Sequence, residues 1–147
     1  MLHNAEVAGI CSIKYFDLKQ NRVQNYKFEY DKILDPKGDS GCYLLYMYAR
    51  IISIFNKGGY TEQSIKELAQ TQSIKITSPQ ERDLAIMILR LPETIDGVFF
   101  DLQLNKICKQ LYDVAGCIGS CYRANKVLGS DEEKSRILIL EATWKCM

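Results

Sequence analysis

A chain of 147 residues, 47% hydrophobic and 25% charged, has the apolar mass for a folded core and too much of it for intrinsic disorder. Its net charge of +1 excludes a broad basic coat for DNA or RNA, so any nucleic-acid contact has to be local. No apolar run approaches the roughly 18–20 residues that span a bilayer, and the first residues do not read as a signal peptide.

The first predicted element is a helix over "AEVAGICSIKYFDLK", in which Val7, Ile10, Cys11, Ile13, Tyr15 and Leu18 recur near a 3.6-residue period. Tyr26, Phe28 and Tyr30 then alternate with charged residues, which predicts a short extended stretch between Gln24 and Asp31 packed by its aromatic rings. "DPKGDSG" gathers turn residues and places the main internal boundary near residue 40. A tyrosine-rich helix over 42–57 follows, stopped by Gly58-Gly59, and Thr61 opens a short polar helix. "SPQE" at Ser78–Glu81 has the spacing of a capping box with proline at the first helical position; the helix it opens should end at Pro92. A short helix interrupted by Gly97 is expected from Glu93 to Leu102. After it comes a long one whose Leu104, Ile107, Cys108, Leu111, Val114, Ala115, Ile118 and Tyr122 share one side. "EEKSRILILEATWKCM" forms the last helix, with Trp144 in the core. The predicted fold is all-α: a helical bundle with a short helix-plus-extended connector at its N-terminus.

Little in the chain supports chemistry of its own. The six cysteines form no C-x-x-C pair, and His3, the single histidine, lies in what reads as a frayed terminus. Reduced thiols in helix cores and a cytoplasmic compartment follow, with no catalytic residue and no metal ligand set assigned. A glycine-rich phosphate loop is also missing from the sequence.

"YLLYMYAR", Tyr43 to Arg50, carries three tyrosines and an arginine where one apolar stripe would suffice. Tyr43, Tyr46 or Met47, and Arg50 fall at offsets of three and four and can share an outer face, while Leu44, Tyr48, Ile51 and Phe55 point inward. A tyrosine beside an arginine suits single-stranded RNA: the ring stacks on a base and the guanidinium takes a phosphate or a base edge. Half-buried packing, with the arginine reaching solvent, satisfies the same pattern.

"VAGICSIKYFDLKQNRVQNYKFEYDKIL" followed by "GDSGCYLLYMYARIISIFNK" resembles the C-terminal part of the arginyl-tRNA synthetase family. The resemblance is carried by Lys14-Tyr15, Asp17-Leu18, Asn21-Arg22, Tyr26, Phe28, Asp31, Leu34, Gly38, Tyr43-Leu44, Tyr46, Arg50-Ile51 and Ser53-Ile54. "PQERDLAIMILRLPETI", "DLQLNKICKQLYDVAGCIGSCY", "VLG" and "LEAT" continue it in order through a helical anticodon-binding domain of the DALR type. It implies that residues 1–40 connect to an upstream catalytic domain of the same polypeptide, and that 41–147 are the anticodon-binding bundle, apparently truncated at its C-terminus. The implied partner is arginine tRNA, mainly its anticodon loop, with neither DNA nor membrane. Tyr46, Arg50 and Tyr122 are its implied site, with Tyr43 beside them and Asn21, Arg22 and Lys126 as weaker contacts. Lys126 stands where some members have a tryptophan, so charge replaces stacking there. No cofactor is implied for these residues; ATP with magnesium belongs to the longer enzyme. The competing reading is a helical adaptor that docks a protein on the tyrosine face, since tyrosine and arginine are enriched in such interfaces too.

Overall fold

The computed structural model describes residues 2–147. Eight helices succeed one another: α1 (Leu2–Leu18), α2 (Tyr30–Ile33), α3 (Gly41–Lys57), α4 (Glu62–Thr71), α5 (Pro79–Leu89), α6 (Leu91–Asp101), α7 (Asn105–Ala124) and α8 (Glu133–Cys146). No strand occurs among the described residues. α7 packs against α3, α5 and α6, and α8 against α3, α4 and α5. The core they enclose holds Met47, Ile51, Ile54, Phe55, Ile65, Leu84, Val114, Ala115, Ile118 and Ile137–Leu140.

Local chemistry sets most of the boundaries. Ser40 caps α3 by accepting from the Tyr43 amide at 3.2 Å. Thr61 and Ser78 each open a capping box, with Ser64 and Glu81 as the third helical residues. Pro92 does not end α5, as the sequence suggested; it lies in the first turn of α6, where its missing amide proton costs nothing. α5 stops at Leu89, and α6 ends on Leu102 in the left-handed region (φ 55°); Gly97 does not interrupt α6, as the sequence suggested, because its backbone stays helical.

Several expected faces turn out differently. In α1 the predicted stripe is buried only in part: of its members Tyr15 is buried and Val7, Ile10, Ile13 and Leu18 are exposed, while Ser12 and Phe16, outside it, are buried. The reason is the crossing with α3. Gly41 sits so close to α1 that a Cβ there would lie 2.8 Å from Ser12 Cα, so the contact face must be small at Ser12. The Tyr15 hydroxyl then bridges segments, donating to Asp39 at 2.6 Å or to the Cys108 carbonyl at 3.1 Å. His3 is exposed on the first turn of α1 instead of lying beyond a helix.

Residues 25–29 have no regular structure and no partner strand, and Tyr30 begins α2 instead of extending the stretch. Tyr26 and Phe28 meet Phe16 edge-on, with ring centroids 5.7 and 5.8 Å away, and Tyr30 meets Phe28 at 5.1 Å. The aromatic alternation therefore serves packing, as expected, but on a helix side chain and with all three rings left partly exposed. Met47 is buried, which leaves Tyr46 as the outward residue of that pair. On α7 the stripe holds from Cys108 to Ile118, but Leu104 and Tyr122 at its two ends are exposed.

Candidate nucleic-acid interface

The 3.6-residue period of α3 sends Met47, Ile51, Ile54 and Phe55 into the core. It leaves Tyr46, Arg50, Ser53 and Lys57 in line on the outside, along one wall of a groove. The last turn of α7 supplies Tyr122 and Arg123, and the following loop supplies Asn125 to Leu128 as the opposite wall. Tyr46 is 54% exposed and Tyr122 40%, so both rings remain available at the groove surface.

Arg50 joins the two rings. Its guanidinium carbon lies 3.9 Å from the centroid of the Tyr122 ring, and its Nη1 donates to the Tyr46 hydroxyl at 3.4 Å. Such a cation over an aromatic face contributes about 0.5–1 kcal/mol at an exposed site. No carboxylate holds this arginine. The groove is lined by Arg50, Lys57, Arg123 and Lys126 and by no aspartate or glutamate, and none of the four takes part in an ion pair among the described residues. On a chain of net charge +1, this places uncompensated positive charge in one groove.

Tyr46, Arg50, Tyr122 and Lys126 are thus brought together. Tyr43 is set apart: its ring meets Tyr112 edge-on at 5.8 Å, and its hydroxyl donates to the Ala115 carbonyl at 3.4 Å. It lines a neighbouring groove with Asp83, Met87, Tyr112 and Cys117. Burial pushes its hydroxyl pKa up, aided by Tyr112 and opposed by Arg123 and Arg50, so the positive field reaches that far. Asn21 and Arg22 lie in a separate groove with Leu102 to Asn105. There Asn21 accepts from the Val23 amide at 3.1 Å, and Arg22 donates to the Asp101 carbonyl at 3.2 Å.

Lys57, Arg123 and Asn125 were missed in the sequence. Lys57 was findable, being seven residues beyond Arg50 on the same helix face. Nothing local marked Asn125. Its side-chain amide donates to the Cys121 carbonyl four residues back at 3.2 Å and to the Ser78 hydroxyl at 3.0 Å, the second a contact that exists only once α5 and α7 are packed.

The profile of the DALR anticodon binding domain matches residues 44–147. The chain belongs to the DALR anticodon-binding domain family. It is 40% identical over 139 residues to the chloroplastic/mitochondrial arginine–tRNA ligase of Arabidopsis thaliana, covering 95% of this chain and 21% of that relative. Against the cytoplasmic arginine–tRNA ligase of the same plant the identity is 41%, covering 95% and 23%. The crystal structure of arginyl-tRNA synthetase from Plasmodium falciparum superposes with a TM-score of 0.83 at 34% identity, covering 92% of this chain and 24% of that one. The chain therefore spans about a quarter of the length of these relatives. The DALR fold and its arginine–tRNA ligase relatives favour the anticodon-binding reading over a protein-docking adaptor.

Within the DALR domain the groove is the place where the α3 helix named by "YLLYMYAR" meets the end of α7. Among its described residues no group of three or more His, Cys, Asp or Glu is placed to hold a metal ion. Among the described residues no helix is long and apolar enough to cross a membrane.

Proposed function

We propose that this chain binds the anticodon loop of an arginine tRNA in the groove between α3 and the end of α7, as part of an arginine–tRNA ligase of the cytoplasm. The observation that carries this reading is a set of four unpaired cations around two accessible tyrosine rings, with no carboxylate lining the groove. Tyr46 offers its face to an unstacked base, Arg50 lying on Tyr122 offers a second plane and donors, and Lys57, Arg123 and Lys126 receive the phosphates. Tyr43 stands at the edge of this footprint, while Asn21 and Arg22 form a second contact on another part of the tRNA.

In this reading residues 1–40 connect the anticodon bundle to a catalytic domain of the same polypeptide. That domain activates arginine with ATP and magnesium. The described residues do not fit those cofactors: they provide neither a glycine-rich phosphate loop nor a cluster of metal ligands. Anticodon binding contributes to specificity through binding energy, by selecting which tRNA is held for the chemistry.

A fluorescence titration with an arginine tRNA and a non-cognate tRNA at 50 and 200 mM salt tests the proposal. Three phosphate contacts at a slope of about −0.7 per charge should weaken binding by about 20-fold over that range. The arginine tRNA should bind more tightly than the non-cognate one. Equal affinities, or binding indifferent to salt, would count against it.

A further inference from the structure

The loop of residues 125–130, whose first part walls the groove, has little regular structure of its own, yet side chains from other elements hold it at both ends. At the first end, Arg136 of α8 donates Nη1 to the Lys126 carbonyl at 2.7 Å and to the Ser130 hydroxyl at 3.2 Å. Its Nε donates to Glu81 Oε1 at 2.7 Å. Glu81 is fully buried at the start of α5, and its other oxygen accepts from the Thr77 amide and hydroxyl and the Ser78 amide at 2.7–3.1 Å. Ser78 in turn receives the Asn125 amide. At the second end, Glu133 accepts from the Gly129 amide and, at 2.7 Å, from the Tyr60 hydroxyl, while Gly129 makes the turn at φ +71°. Val127 between them is buried, whereas Lys126 is exposed, lines the groove and has no acidic partner among the described residues.

We propose that Arg136 is a positioning residue for the groove: through its bond to the Lys126 carbonyl it sets the distance between the loop wall and the Tyr46–Arg50 wall of α3. The inference rests on the reading that the groove binds tRNA. Arg136 itself is mostly buried and is absent from the groove lining, so it acts on the groove indirectly; besides the loop it bonds, it lines a small cavity with Tyr122, which is why exchange over 125–130 is read beside affinity. Arginine is suited to this because its fork satisfies Glu81 and the loop at once; a lysine ammonium keeps the charge beside Glu81 but cannot span both.

The experiment compares the chain with its Arg136→Lys, Ser130→Ala and Arg50→Ala variants. Arginine-tRNA affinity, amide hydrogen exchange over residues 125–130 and melting temperature are measured for each. Arg136→Lys should exchange faster over 125–130 and bind tRNA about tenfold more weakly, while remaining folded. Ser130→Ala, which leaves the Glu81 pair untouched, should move both readouts in the same direction by less. Faster exchange with unchanged affinity would overturn the inference, as would weakened affinity with unchanged exchange. If Arg136→Lys does not fold, Ser130→Ala decides on the same two readouts. Loss of binding in Arg50→Ala with normal binding in Arg136→Lys removes this inference and leaves the groove reading standing. Absence of binding by the unaltered chain removes both.

Discussion

Arg50 lies on the face of Tyr122 with nothing of opposite charge to hold it, so the ring does the holding. That arrangement divides the two tyrosines: Tyr46 keeps a freer face, while Tyr122 presents the guanidinium as the outer plane of a stack. Tyr46→Ala should therefore weaken tRNA binding by about 10- to 100-fold, the value of one base–aromatic stack of about 1–3 kcal/mol. Arg50→Lys preserves charge but loses the plane and should also bind more weakly. Both variants should melt within a few degrees of the unaltered chain, because these side chains are not core. A large fall in melting temperature with affinity intact would return "YLLYMYAR" to packing. The Tyr46–Arg50 pair was legible in the sequence because a helix makes residues four apart neighbours. Tyr122 came only through family resemblance: its position 72 residues away is joined to Arg50 by the packing of α3 on α7, which no local pattern encodes.

Among the elements, those with strong local signals were the most readable. The Ser78–Glu81 capping box was predicted from spacing alone and is present. What spacing could not show is that Glu81 also meets Arg136, 55 residues later, and so ties α5 to α8. The α1 stripe misled for a related reason: burial there is decided by where Gly41 lets α3 approach, and the more hydrophobic side lost. Glu81 makes a sharp prediction. Burial raises its carboxyl pKa, but Arg136 and the Thr77 and Ser78 donors outweigh burial and hold it below the ordinary value of 4.5. A carboxyl depressed in the folded state contributes stability above its unfolded pKa, and that contribution is lost as pH falls through the folded value. The melting temperature should therefore drop as pH is lowered below about 4.5. Glu81→Gln should be less stable by about 3 kcal/mol at neutral pH, leaving Arg136 without its charge partner, and should lose less on acidification. Parallel melting curves against pH for the two proteins would show that the pair is not linked to folding.

Across the whole molecule, the cationic groove at the α3–α7 seam is distinguished by positive charge around exposed rings, because exposed apolar side chains alone also occur elsewhere, as Val7, Ile10 and Ile13 on α1 and Phe99, Phe100 and Leu102 at the end of α6. The sequence conveyed the all-helical class and the order of helices, because both follow from periodicity and caps. It did not convey which faces stay open, because that depends on how the helices assemble. Amide hydrogen exchange of the chain with and without the anticodon stem-loop of an arginine tRNA tests the central claim directly. Protection is expected on the outer residues of α3 from Tyr46 to Lys57 and on Tyr122 to Leu128, with α1 and α6 unchanged. Protection confined to α1 or α6, or none at saturating stem-loop, would contradict the assignment of the groove.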